Sequence, residues 1–267
     1  VDEDPSLTLE HNADMHQILL HGQGEMHLRV ALERLLRKYG IEVVREKRRV
    51  GYKETIRSAT EIRGRHKKQS GGHGQFGDVK LDIKPLPRSA GVTFSETITG
   101  GAIPRNFIPS VEIGVRDYLT EGPLGFPVVD VAVTLTDGSY HTVDSSDMAF
   151  RQAGRLAMSE GLPKCNPVLL EPVMAVSIAV PSEANARING IISQRRGQIL
   201  GFDARSGWPG WDVIEAHIPE AEMDNLIIDL RSATAGVGSF TFGFDHLAEV
   251  SGRLKDQVLS ANRAAAE

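Results

Sequence analysis

The sequence predicts an α+β protein of more than one domain, and three observations carry that expectation. The chain has 267 residues, enough for two or three cores when a domain takes roughly 100–150 residues. Its apolar residues switch repeatedly between strand spacing and helix spacing. Its last third orders those segments as strand, helix, strand, strand, helix, strand, which is the ferredoxin-like arrangement.

Residues 6–10 and 15–21 read as short strands around an Asn12-Ala13-Asp14 turn, because β-formers flank turn-formers. Glu25–Tyr39 follows as a helix with Leu28, Leu32, Leu35 and Tyr39 on one stripe and Gly40 as its C-terminal cap. Ile41–Val44 reads as another strand. Residues 1–51 thus predict an incomplete α+β domain, cut at its amino-terminal side, whose sheet and helix faces lack cover.

From Gly51 to about Pro167 the pattern is mostly strands, at Asp78–Ile83, Val92–Ile98 and Val128–Leu135, between Gly/Pro turns. Two helices are set among them. One covers about 108–119 with Pro109 in its first turn, where a missing N–H costs nothing. The other begins at Asp144, read as its N-cap, and stops at Gly161.

Residues 172–244 supply the complete βαββαβ unit: a strand at Val173–Val180, a helix at Asn185–Ser193, strands at Ile199–Ala204 and Val213–Ile218, a helix at Glu220–Arg231 and a strand at Ser239–Phe244. The tail from Leu247 to Ala266 is rich in Ala, Arg and Leu and predicts a helix.

Composition narrows the function. The chain is 40% hydrophobic and 24% charged with 27 glycines, which describes a turn-rich globular protein and excludes fibrous and disordered classes. Its single Cys165 cannot form an internal disulfide, and no Cys/His spacing resembles a zinc site, so a reducing compartment and no structural metal are expected. No signal-peptide pattern opens the chain, and no apolar run approaches the roughly 18–20 residues of a membrane span, so the expected location is the cytoplasm.

Formal net charge is −5, which argues against a protein that coats DNA. Locally the balance reverses: between Arg45 and Lys68 ten Lys/Arg face three acids. This stripe, with Lys47, Arg48, Arg49, Arg65, Lys67 and Lys68 among its cations, reads either as a phosphate-facing surface or as a solvated face.

Three motifs invite chemistry. Ser70-Gly71-Gly72-His73-Gly74-Gln75-Phe76-Gly77 is dense in glycine, yet it lacks the Gly-Lys-Ser/Thr ending of a P-loop and precedes a strand. It reads as an exposed hairpin tip that another backbone can approach, with a phosphate-cradling loop as the alternative. The stretch Ser139-Tyr140-His141 followed by Asp144 superficially offers a triad, but no nucleophile elbow frames it, and a solvated loop histidine is the plainer reading. Arg195-Arg196, after the first helix of the last unit, either complements that helix's C-terminal dipole or forks toward a phosphate backbone.

Read together and in order, these segments resemble translation elongation factor G. Glu3-Asp4-Pro5-Ser6, Gly22-Gln23-Gly24-Glu25-Met26-His27-Leu28 and Tyr52-Lys53-Glu54-Thr55-Ile56 are similar to its third-domain and linker signatures. The glycine-dense loop, Gly100-Gly101-Ala102-Ile103-Pro104 and Gly138–Ser146 resemble its fourth domain. Leu169-Leu170-Glu171-Pro172 and Arg195-Arg196-Gly197 resemble its fifth.

The resemblance implies an incomplete ferredoxin-like third domain over 1–51, a fourth domain of the ribosomal-protein-S5-domain-2-like fold over 52–167, and a ferredoxin-like fifth domain over 168–245. A final helix over 246–267 would pack back on the fourth. It implies no catalytic residue and no cofactor in this chain, with GTP and Mg belonging to an upstream domain of a GTPase.

The implied partners are the ribosome, at its decoding centre, sarcin–ricin loop and stalk base, and tRNA–mRNA, met by a monomeric arm during translocation. The implied tip is Ser70, Gly71, Gly72, His73, Gly74, Gln75, Ser139, Tyr140 and His141, and Arg195 and Arg196 would meet RNA from the fifth domain. The family's Gly-Tyr-Ala-Thr-like stretch and its basic turn are replaced here by Asp224-Asn225-Leu226-Ile227-Ile228 and Ala235-Gly236-Val237-Gly238. That departure raises a paralogue acting in ribosome recycling or protection. A small-molecule kinase on a related fourth-domain fold is the reading from another class, and ATP binding would distinguish it.

Overall fold

The structure is a computed structural model that describes residues 4–12, 17–69 and 74–266, and it divides into two units, Val1–Gly51 and Tyr52–Glu267. In the first unit β1 (Thr8–Asn12) and β2 (Gln17–His21) pair antiparallel, and α1 (Glu25–Tyr39) follows. The turn expected at Asn12–Asp14 lies mostly outside the described residues.

Helix α1 ends as its sequence predicts: Gly40 takes a left-handed φ of 66° and its N–H donates to Leu36 O at 3.0 Å. Leu28, Leu32 and Leu35 are half-buried, whereas Tyr39 is exposed. The strand expected at Ile41–Val44 does not form. Residues 40–52 have no regular structure, and the Gln17 amide takes the place of a ladder by donating to Lys47 O (3.0 Å) and accepting from Arg49 N (2.8 Å).

The second unit opens with two strands that the sequence reading did not single out, β3 (Lys53–Ile56) and β4 (Thr60–Lys68). Then come β5 (Gln75–Pro85), β6 (Val92–Glu96), α2 (Ile108–Leu119), β7 (Val131–Ser139) and α3 (Asp147–Gly161). Strands β4, β5, β7 and β6 form a sheet in that order, antiparallel except for β6 beside β7. That parallel pair is joined through α2, since parallel neighbours need a crossover.

Alternation along β5 and β7 buries Val79, Leu81, Ile83, Val131, Val133 and Leu135 against Val111 and Val115 of α2 and Phe150, Ala153 and Ala157 of α3. The helices come very close to their neighbours. A Cβ on Gly114 would lie 2.0 Å from Arg151 O, and one on Gly64 would lie 2.4 Å from Ala153 O.

Helix α3 starts later than expected. Its N-cap is Ser146, whose hydroxyl accepts from Ala149 N, and not Asp144, whose carboxylate is taken by Gly74 N at 3.0 Å.

The remaining elements are β8 (Pro167–Pro181), α4 (Asn185–Gln194), β9 (Gln198–Ala204), β10 (Trp211–Pro219), α5 (Leu226–Ala233), β11 (Ser239–Val250) and α6 (Gly252–Ala266). Their sheet runs β11-β8-β10-β9, the ferredoxin-like order, with β3 added beside the first part of β8. Ile188, Ile192, Leu226 and Leu230 of the helices bury against Val176, Ile178, Ile214 and Ile218.

Two boundaries differ from expectation. The helix read over Glu220–Arg231 is a short 3-10 turn at Glu220–Glu222 followed by α5, because Asn225 adopts a left-handed φ of 59° between them. The last helix begins at Gly252 and not at 246, because β11 passes an irregularity at Phe244/His246 and goes on pairing with β8 as far as Val250. Helix α6 sets Leu254, Val258 and Leu259 against Phe126, Leu169 and Val250, and Asn262 donates to Gly125 O at 3.1 Å.

Candidate nucleic-acid interface

Strand β4 is an edge strand whose alternation separates two kinds of residue. Gly64 faces α3, while Arg63, Arg65 and Lys67 stand exposed on the opposite face. The cations nearer its start are matched. Arg63 holds Asp78 through two bonds of 2.8 and 2.6 Å, and Lys80 of the neighbouring strand meets Glu61 at 2.7 Å.

Toward the hairpin tip the matching stops: among the described residues no acid forms an ion pair with Arg65, Lys67 or Lys68. The far half of the strand therefore presents three cations without a contacting acid, although the Asp144 carboxylate shares their hollow and Asp78 feels the Arg65 charge, an arrangement that sequence alone could not distinguish from a paired face. The other half of the stripe, Lys47, Arg48 and Arg49, belongs to the first unit. Lys47 and Arg49 are exposed there, Arg48 is partly buried, and Arg49 lies 3.6 Å from Glu46.

Next to these cations, the β5 side of the hairpin is clasped to the loop after β7. Phe76 N donates to Asp144 O (2.8 Å), Gly74 N donates to Asp144 Oδ1 (3.0 Å), and the Ser145 hydroxyl donates to Phe76 O (2.9 Å). Ser145 also accepts from His141 N at 2.9 Å. Gly74 is a close-approach position, since a Cβ there would lie 3.0 Å from the Asp144 carboxyl carbon.

The clasp sets Tyr140 and His141 beside Arg65, Lys67, Lys68, Gln69, Gln75 and Phe76 around an open hollow of about 410 Å³. Arg65 lies over the Phe76 ring at 5.3 Å, and Phe76 meets His141 edge-on with centroids 6.4 Å apart. Gln75 is held by His66 at 2.9 Å. Ser70, Gly71, Gly72 and His73, the other expected tip residues, lie outside the described residues.

His141 is placed to act outward. Its Nδ1 is turned onto the chain, within reach of Val143 N (3.3 Å), Asp144 N (3.2 Å) and Asp144 Oδ2 (3.4 Å), which leaves Nε2 as the ring nitrogen free of these contacts. The side chain is 54% exposed, so that nitrogen is available to a partner. Ser139 points elsewhere, its hydroxyl donating to Asp78 Oδ2 at 2.7 Å. Burial alone would raise the Asp78 carboxyl, but the bonds from Arg63 and Ser139 and the Arg63 charge outweigh it and hold the group below its usual range.

Arg195 and Arg196 do not form an open fork. Arg195, 14% exposed, donates to Glu222 O, to Asp224 O (2.7 Å) and to Asp229 Oδ2 (2.5 Å). Arg196 grips Glu171 with bonds of 2.7 and 2.9 Å and reaches Glu222 at 2.9 Å. Both guanidinium groups are turned onto the protein, where they tie the end of α4 to β8 and to the turn before α5. Those hydrogen bonds push the Arg196 pKa up. The sequence reading missed the clasp residues Phe76 and Asp144, since Asp144 has the residue type and position of a helix cap and only the fold brings it to Gly74.

In the second unit a two-layer domain with a basic, clasped tip is followed by a ferredoxin-like domain. Residues 1–47 match Elongation Factor G, domain III; residues 48–166 match Elongation factor G, domain IV; and residues 168–258 match Elongation factor G C-terminus. The chain belongs to the elongation factor G family.

It is 60% identical over 250 residues to an elongation factor G-like protein of Synechocystis and 44% identical over 263 residues to elongation factor G of Aquifex pyrophilus. These alignments take in 94% and 98% of the chain but 37% of either relative, so the chain spans little more than a third of their length. A crystal structure of a Thermus thermophilus protein superposes with a TM-score of 0.86 at 39% identity, over 98% of this chain and 39% of that one.

Proposed function

We propose that this chain is the ribosome-facing arm of a translational GTPase and that its tip enters the decoding centre to promote tRNA–mRNA translocation. The observation that carries the reading is the convergence of Arg65, Lys67 and Lys68, none of them in an ion pair among the described residues, with exposed Tyr140 and His141 on one clasped end of the four-stranded sheet. Cations position a partner through its phosphates, and planar rings with an outward polar atom stack on or hydrogen-bond to unpaired bases. The fifth-domain region would approach the sarcin–ricin loop and stalk base. GTP and Mg would belong to a nucleotide-binding domain elsewhere in the whole protein, leaving the arm to act by shape and charge.

A second reading has its own support. The 60% identity to an elongation factor G-like protein exceeds the 44% to elongation factor G of Aquifex pyrophilus, which keeps a paralogue in view, and such a paralogue would apply the same arm to ribosome recycling or protection.

The test uses the full-length protein with His141→Asn. The Asn side-chain oxygen can replace Nδ1 as acceptor for Val143 N and Asp144 N, while the outward Nε2 is removed. Folding and GTP hydrolysis are expected to stay near wild type while translocation slows at least about tenfold, the effect of losing roughly 1.4 kcal/mol of transition-state interaction. Unchanged translocation by an otherwise active protein contradicts the reading. Translocation absent from the wild type, with ribosome splitting present, selects the paralogue.

A further inference from the structure

The ferredoxin-like sheet carries a side-chain cluster unrelated to the tip. Strand β8 runs between β10 and β11, so the two flanking strands stand about 9–10 Å apart, twice the usual strand spacing. His217 on β10 is opposite Ala175 of β8, and Ala175 is opposite Gly243 of β11. Ala175 alternates with the buried Met174 and Val176, so it faces away from the helices, and its small side chain leaves the space between the flanking strands open.

Strand β11 departs from its regular register at this level. Phe244 pairs with Met174 and His246 with Val173, so Asp245 is an inserted residue. In an unbroken strand Asp245 and His246 would point to opposite faces, and the bulge breaks that alternation. As a result Asp245 Oδ2 lies 2.6 Å from His246 Nδ1 and 3.5 Å from His217 Nε2, and one donor atom from each residue lies within 4.8 Å of the other two. The imidazole rings meet edge-on with centroids 5.2 Å apart.

We infer that His217, Asp245 and His246 form a three-ligand site for a divalent first-row transition metal, with zinc as the ion best suited to two imidazoles and one carboxylate. Ligands of a tetrahedral zinc ion with bonds near 2.05 Å are separated by about 3.3 Å. The His217–Asp245 distance of 3.5 Å is already close to that, and the shorter His246–Asp245 contact needs to open by less than an ångström. Three protein ligands leave a fourth position for water or an outside donor. The bound ion would fasten β10 to β11 across β8. No Cys/His spacing announces the site, because its ligands come from two non-adjacent strands and one of them is placed by a bulge.

Calorimetric titration of zinc chloride into the full chain is expected to show one saturable site, and cobalt(II) in its place is expected to give the visible d–d bands of low-coordinate binding. Asp245→Asn keeps the side chain's size, and His217→Ala removes a ligand from an interior strand. Each is expected to weaken zinc binding by at least about tenfold, with the circular dichroism spectrum of Asp245→Asn unchanged. His66→Ala, on the other sheet, is expected to leave binding as it is. Absence of saturable binding, wild-type affinity in Asp245→Asn, or loss on His66→Ala overturns the assignment and leaves the cluster an ordinary ion pair.

Discussion

Glu54 shows how strongly a single side chain can depend on the fold around it. It is 1% exposed, and its carboxylate accepts from Leu124 N at 3.2 and 3.0 Å and from Phe126 N at 3.2 Å. Burial raises its pKa from 4.5 to about 7, against those hydrogen bonds and the charge of Lys255, which pull it down. A carboxyl raised in the folded state contributes stability that is fully present below pH 4.5 and is lost as pH rises through about 7. At about 1.36 kcal/mol per unit the loss is on the order of 3 kcal/mol or slightly more by about pH 8. Glu54→Gln retains an acceptor and cannot ionise, so its urea midpoint should gain on wild type as pH increases from 5 to 8; parallel midpoints would show that Glu54 does not titrate in this window. In the sequence Glu54 is only a charged residue inside a family-like motif. Its burial depends on Leu124 and Phe126, some 70 residues away. Arg195 and Arg196 were ambiguous for the same reason: Glu171, Glu222 and Asp229, which bind them, are distant in sequence.

At the scale of elements, what was legible followed from local rules. Helix α1 with its Gly40 cap, helix α2 with Pro109 in its first turn, and the βαββαβ order of the last domain are all written in spacing and capping residues. The misread elements depend on partners. Ile41–Val44 has the composition of a strand, yet Gln17 holds the chain beyond it in irregular form. Strand β4 was visible only as charge, because the residue it packs most closely on α3 is Gly64, which gives no apolar alternation to read. Helix α6 starts late because pairing with β8 outlasts the helical propensity of the tail. The same dependence reverses a familiar rule at Gly114. Replacing a mid-helix glycine by alanine usually stabilises by up to about 1 kcal/mol, but here the methyl would lie 2.0 Å from Arg151 O of α3. Overpacking of roughly 1–3 kcal/mol should win, so Gly114→Ala is expected to lower the thermal midpoint. A raised midpoint would mean that α2 and α3 separate at little cost.

For the whole molecule, the proposed role rests on charge placed by topology. The chain is acidic overall at −5, yet its acids are used to match the cations at the start of β4, around Glu249 and around Arg196, leaving the tip positive. Family membership rests on domains matched in series, and the proposed role rests on that asymmetric matching. Ribosome sedimentation with the full chain, measured across a range of salt concentrations, tests it most directly. Binding should weaken steeply with salt, and Lys67→Gln with Lys68→Gln should flatten the log–log slope by roughly 1.4–1.8 units, the share of two phosphate contacts. An unchanged slope in that double variant, or binding indifferent to salt, would contradict the account.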